Sequence, residues 1–143
     1  TALYGLISGL WELFGESSFA TAQNVGSRLI EELAKSGLQV TSTDRKEILA
    51  QVSNLLGEEH VGLTKKVEYS LDENGKVTLH CHQCALADVT AKLEVEGVQP
   101  FACVPMLIAT ATLSKNTGAK NRLMGRKFNP EGEVCSVEFQ IVN

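Results

Sequence analysis

The stretch KVEYSLDENGKVTLHCHQC, residues 66–84, decides how this chain folds. Val67, Tyr69 and Leu71 alternate with polar residues. Asp72-Glu73-Asn74-Gly75 interrupts, and Val77, Leu79 and Cys81 resume the alternation. An apolar residue at every second position turns one side of an extended chain toward a core, and Asn-Gly supplies a tight reversal between two such runs. The segment predicts a β-hairpin whose second strand ends in a Cys-x-x-Cys, Cys81 to Cys84.

Upstream of the hairpin the period is helical. Leu3, Leu6, Ile7, Leu10, Leu13 and Phe14 make one stripe at helical spacing, and Gly15 stops that helix. Gly5 and Gly9 lie one turn apart within it, so the spacing predicts that another element comes close there. Ser17 or Ser18 caps a second helix running to about Ser36, with Phe19, Ala22, Val25, Gly26, Leu29, Ile30 and Leu33 as its apolar face and Gly37 as its stop. Ser42 or Thr43 caps a third, with Ile48, Leu49, Val52, Leu55 and Leu56 inward, ended by Gly57.

Downstream, Cys84 to Gly97 reads both ways. Ala85 to Leu93 is helix-forming, whereas Leu93 and Val95 alternate as in a strand. Pro105 opens a helix from about Val104 to Lys115, closed by Asn116 to Gly118. Arg122 to Phe128 reads weakly as a strand and Val134 to Val142 strongly, with Asn129-Pro130-Glu131-Gly132 as the turn between them. Helices first, then a mostly antiparallel sheet with one inserted helix, defines an α+β fold. The 143 residues make a single domain.

The totals exclude several roles. A net charge of -4 and scattered basic residues argue against nucleic acid. No apolar run reaches the roughly 18 residues of a membrane span. Glu12 breaks the apolar N-terminal stretch and no basic residue precedes it, against a signal peptide. Four cysteines are too few for a small disulfide scaffold and suit reduced thiols in a cytoplasmic protein.

Those cysteines carry the chemistry. Cys81 and Cys84 end a strand, Cys103 precedes a helix and Cys135 begins the last strand. Thiolates at element edges are the donors of a structural zinc site, and a thiol-only set also takes iron. The candidate metal ligands are Cys81, Cys84, Cys103 and Cys135, the last two meeting the first two only if the fold brings them there. Packed thiols or a redox disulfide are the alternatives for the same residues. His80 and His82 flank Cys81, but alternation places them on the opposite face of the strand. His60, beside Glu58 and Glu59, reads as a solvated loop residue.

Catalytic signatures are missing. There is no Gly-x-Gly-x-x-Gly, no phosphate-binding Gly-Lys-Ser/Thr loop and no Gly-x-Ser-x-Gly. Glu31, Glu32, Glu94 and Glu96 fall on predicted solvated faces. The first helix is apolar nearly all round, which suits a subunit interface or the wall of an apolar cavity. Leu10, Trp11 and Phe14 are the candidate ligand-pocket residues.

Several short motifs together resemble the vinyl-reductase-like, hydrocarbon-binding small-molecule-binding domains, relatives of the transport-particle small subunits and the haem nitric-oxide-binding domains. They are Leu13-Phe14-Gly15-Glu16, Gly26, the Cys84 region, Cys103 leading into a helix that ends at Gly118, and Gly132-Glu133-Val134-Cys135-Ser136-Val137-Glu138-Phe139. The resemblance implies an α+β fold, a homodimer formed through the N-terminal helices, an apolar ligand and metal-binding cysteines. The chain departs from it before the final strand, where Gly125-Arg126-Lys127 stands in place of an acidic-Cys pair, and no axial haem histidine is identifiable.

The sequence thus reads as a non-catalytic domain that binds or senses a small apolar ligand and holds a cysteine-ligated zinc or iron. The alternative is a thiol-based redox enzyme or small reductase acting on a tetrapyrrole-like substrate.

Overall fold

The hairpin forms where its alternation places it. In the computed structural model, β1 (Lys66–Leu71) and β2 (Lys76–His82) pair antiparallel with Val67 opposite Cys81 and Leu71 opposite Val77. The Asp72 carboxylate accepts from the backbone N–H groups of Asn74 and Lys76 at 2.8 and 2.9 Å, and Gly75 takes the left-handed φ of +82° that the turn demands. The structure describes residues 2–57, 60–129 and 134–142, without the side chains of residues 126–129. The expected Asn129–Gly132 turn falls largely outside those residues.

β3 (Lys120–Asn129) and β4 (Val134–Val142) complete a four-stranded antiparallel sheet of order β1-β2-β4-β3. Its inward residues Val67, Val77, Leu79, Cys81, Val137, Phe139 and Ile141 join one core with Ile48, Val52 and Leu56 of α3 (Arg45–Leu56). The centre of that core is α5 (Val104–Thr117), buried from Pro105 to Ala109 and from Ala111 to Leu113. α2 (Phe19–Lys35) packs on the far side of α5. No helix among the described residues is long and apolar enough to cross a membrane.

Several helix ends differ from their expected caps. Asp44, rather than Ser42 or Thr43, is the N-cap of α3: its carboxylate accepts from Glu47 N–H at 3.0 Å, while Ser42 Oγ donates to the Glu47 carboxylate at 2.6 Å. Ser18 precedes α2, but its hydroxyl donates back to Leu10 C=O at 3.4 Å. Gly37 ends α2 as expected, with Leu38 N–H on Leu33 C=O and Gly37 N–H on Ala34 C=O, a Schellman closure. The ambiguous segment is helical: α4 spans Ala87–Val95 and lies with α5 between β2 and β3.

The largest surprise is α1 (Ala2–Phe14). Of its stripe only Ile7 is buried; Leu6 is 61% exposed, Leu13 77% and Phe14 54%. A Cβ added at Gly5 or Gly9 would meet nothing within 4 Å. The close approach lies instead at Gly26, where a Cβ would sit 2.7 Å from Leu107 O and 3.0 Å from Ala111 Cβ. Periodicity reports which side of a helix is apolar, and cannot say what covers that side.

Candidate functional site

Cys81 is the last inward residue of β2, and Cys135 is the first buried residue of β4. The two are direct partners in the antiparallel ladder. Beyond His82 the chain reverses through Gln83, whose φ of +50° is left-handed although it is not a glycine. Such a conformation costs free energy and is held by its surroundings. It delivers Cys84, half-buried, ahead of the α4 N-terminus, where Leu86 N–H donates to Cys84 Sγ at 3.4 Å. Cys103, also half-buried, is the N-cap residue of α5.

The fold therefore gathers the four cysteines. Cys81, Cys84, Cys103 and Cys135 line one cavity of about 40 Å³, closed on another side by Ile7 of α1. That volume holds one or two waters or a single ion. It is far below the roughly 300–1,000 Å³ of organic-ligand pockets.

Two of the thiols, Cys81 and Cys84, influence each other's ionisation. The Cys81 sulfur hydrogen-bonds with that of Cys84, and it lies 3.3 Å from Thr64 Oγ1. Thr64 is itself buried, its hydroxyl reaching the backbone carbonyls of His82 and Lys66. The hydrogen bond from Cys81, reinforced by Leu86 N–H against the cost of burial, lowers the Cys84 pKa to about 6. The same pair bond, together with burial, pushes the Cys81 thiol up. Burial also raises the Tyr69 phenol, with Cys103 and Cys81 nearby; its hydroxyl donates to Pro105 C=O at 2.8 Å, in the first turn of α5.

The histidines lie outside this site. His80 Nδ1 contacts Ser136 Oγ at 2.8 Å and His82 Nε2 contacts Glu68 Oε1 at 3.1 Å, on the open face of the sheet. His60 is exposed in a turn. Leu10 and Trp11 are half-buried beside a second small core of Ile7, Leu93, Val98 and Phe101. Trp11 stacks on Phe101 at 6.1 Å and meets Phe19 edge-on at 6.3 Å, while Phe14 faces solvent. None of Leu10, Trp11 and Phe14 lines the cysteine cavity.

A family model described as "Putative rubredoxin C-terminal domain" matches residues 1–142. The chain belongs to this family. No curated protein matches it. The description of the rubredoxin C-terminal domain family points to a redox or metal-related role. A metal in such a domain calls for soft donors, and the four thiols are right in kind and number for zinc or iron. Their spacing does not fit: among the described residues no three Cys, His, Asp or Glu side chains are grouped to hold an ion.

Sequence reasoning missed Thr64, Ile7 and the Leu86 N–H as parts of the site. Thr64 and Leu86 carry no signal in pattern, and Ile7 was one of six equivalent positions on an apolar stripe.

Proposed function

We propose that the domain works through its cysteine cavity as a thiol-based redox module. Cys84 is the attacking thiolate and Cys81 the resolving thiol. The observation that carries this reading is that a half-buried Cys84, its Sγ accepting from Leu86 N–H, lines the same small cavity as the buried Cys81. A low-pKa thiolate beside a second thiol is the arrangement that exchange chemistry requires. The Cys84 sulfur attacks one sulfur of a disulfide on an oxidised partner, whose other sulfur leaves as a thiolate. Cys81 then loses its proton and attacks the Cys84 sulfur of the mixed disulfide, releasing the partner's second sulfur. Two electrons pass to the partner, and Cys81–Cys84 becomes the disulfide. Iodoacetamide labelling at pH 6, read by peptide mass spectrometry, tests the assignment: Cys84 reacts first and fastest. If it reacts no faster than Cys103, the reading fails.

A second reading is a soft-ion site, favoured by the convergence of all four thiols on one cavity. It requires the thiols to draw closer together, because the spacing described above does not close. Metal analysis of protein purified without chelator decides it: less than about half an equivalent of zinc or iron per chain ends the claim.

The apolar ligand and the homodimer belong to the same proposal. The resemblance to the vinyl-reductase-like domains supports both, and the exposed Leu6, Leu13 and Phe14 of α1 supply an apolar surface for self-association. Sedimentation velocity over a range of concentrations tests the dimer, and a monomer at every concentration removes it.

A further inference from the structure

An open groove of about 760 Å³ runs along one edge of the sheet, away from the thiols, between α3 and β1. Its α3 wall is a single stripe at helical spacing: Lys46, Leu49, Ala50, Ser53, Asn54 and Gly57. Its other wall is β1 itself, which has no strand beyond it. The phase of the hairpin decides which main-chain groups face the groove. Asp72 N–H donates to Lys76 C=O at 3.0 Å, so in the observed register Ser70, Glu68 and Lys66 exchange their main-chain bonds with β2. Val67, Tyr69 and Leu71 turn their N–H and C=O groups the other way. From the α3 side Ser53 Oγ donates to Val67 C=O, as that phase requires. Among the described residues nothing pairs with the main-chain groups of Tyr69 and Leu71.

The spacing of these groups selects the occupant. Donor and acceptor recur at every second residue, about 7 Å apart, which is the period of one more extended strand. The two walls agree in length: five strand steps from Lys66 to Leu71 and eleven helical steps from Lys46 to Gly57 are each about 17 Å, room for five or six extended residues. Charge narrows the choice. Lys46, Lys65 and Lys66 line the groove against one acid, Glu68, which Lys66 at 3.7 Å and His82 Nε2 at 3.1 Å already share. Lys46 and Lys65 are exposed and have no acidic partner among the described residues. On a chain of net charge -4 this is a local excess of positive charge.

We infer that α3 and β1 form a docking groove for a short, acidic, extended segment of a partner protein, which adds to the sheet as a fifth strand beside β1. Main-chain bonds to Tyr69 and Leu71 hold the segment, and Lys46 and Lys65 select its carboxylates. The six residues of β1 limit the addition to one short strand. This surface stands apart from the thiol chemistry and from the apolar ligand, either of which can fail without it.

The probe is the capped peptide acetyl-Glu-Val-Thr-Val-Glu-amide, titrated into the full chain with amide chemical shifts and hydrogen exchange as readouts. Shifts are expected at Tyr69, Leu71, Ala50 and Asn54, and the amides of Tyr69 and Leu71, fast to exchange in the free chain, slow when the peptide binds. N-methylation of its three central residues removes the main-chain donors and weakens binding about tenfold or more. Replacing both Glu by Lys weakens it about tenfold, and the double variant Lys46→Glu, Lys65→Glu reverses that preference. Ala50→Trp, at an exposed helix position, fills the groove and weakens every peptide. Shifts confined to β3 or α1, or no binding at millimolar peptide, overturn the site. An N-methylated peptide that binds equally well overturns strand addition, and a lysine peptide that does so overturns the acidic preference. Protection of Tyr69 and Leu71 on concentrating the chain alone assigns the edge to a second copy and overturns the partner.

Discussion

Cys81 and Cys135 face each other across the central pair of strands, joined by register although far apart in the chain. Directly opposed residues of an antiparallel ladder have Cα atoms about 4.5–5.5 Å apart, within the range a disulfide spans. Cys81 therefore has, besides Cys84, a cross-strand candidate partner in Cys135. In Cys84→Ser, oxidation with diamide is expected to join Cys81 to Cys135, whereas the wild type forms Cys81–Cys84 first. Non-reducing peptide mapping distinguishes the two crosslinks, and a Cys84→Ser protein that yields only intermolecular disulfides contradicts the geometry.

The reactivity of Cys84 should follow its own ionisation. A pKa lowered to about 6 means that the thiolate is present above pH 6 and is lost as the solution is acidified through that value. At pH 7 about nine-tenths of Cys84 is ionised, against a few per cent for an ordinary cysteine. Alkylation rate plotted against pH should rise with a midpoint near 6. Cys81→Ala removes the main hydrogen-bond donor, and the midpoint should move upward; an unmoved midpoint would show that Cys81 does not activate its neighbour.

Ile7 is the contact through which α1 covers the thiols. Beyond it α1 is held by Trp11 on Phe101, by Tyr4 donating to the Glu96 carboxylate, and by Lys92 lying 4.0 Å from the Tyr4 ring centre. Ile7→Ala should cost about 2 kcal/mol, the low end for truncating a core isoleucine, because so much of its helix is already in water. It should also raise the rate at which a bulky maleimide labels Cys84. Loss of stability with no change in labelling rate would mean that α1 supports the fold without shielding the cavity.

The glycines give a contrast in sign. Gly26→Ala forces a methyl against Leu107 O at 2.7 Å and should destabilise by about 1–3 kcal/mol. Gly5→Ala and Gly9→Ala meet empty space in a helix interior and should each stabilise by about 0.5–1 kcal/mol. Urea unfolding midpoints of the three variants check this; a destabilising Gly9→Ala would reveal a partner seated on α1.

Much of the architecture was legible because period and punctuation agreed. The hairpin, α3 and β4 each combine a clear alternation or stripe with a Gly, Asp or Asn at the boundary, and their observed limits lie within a residue or two of the expected ones. Cys84 to Gly97 was unreadable because its nine-residue helix buries only Leu93, too little to set a period. The α1 stripe misled for the opposite reason: six apolar positions fell on one face, and five of them are not buried in this chain. In the site, the Cys81–Cys84 adjacency follows from spacing. The arrival of Cys103 and Cys135 depends on how β4 inserts beside β2, which no local pattern encodes.

The strand order described above leaves β1 and β3 as the outer members of the sheet, each with a row of backbone groups that another chain could extend. β1 is six residues long and carries Lys66 and Glu68 on its open face, joined as an ion pair at 3.7 Å. β3 breaks its register between Leu123 and Gly125. A short charged rim on one side and an irregular one on the other both discourage fibrillar stacking, which a chain with a bare apolar helix has particular need to avoid.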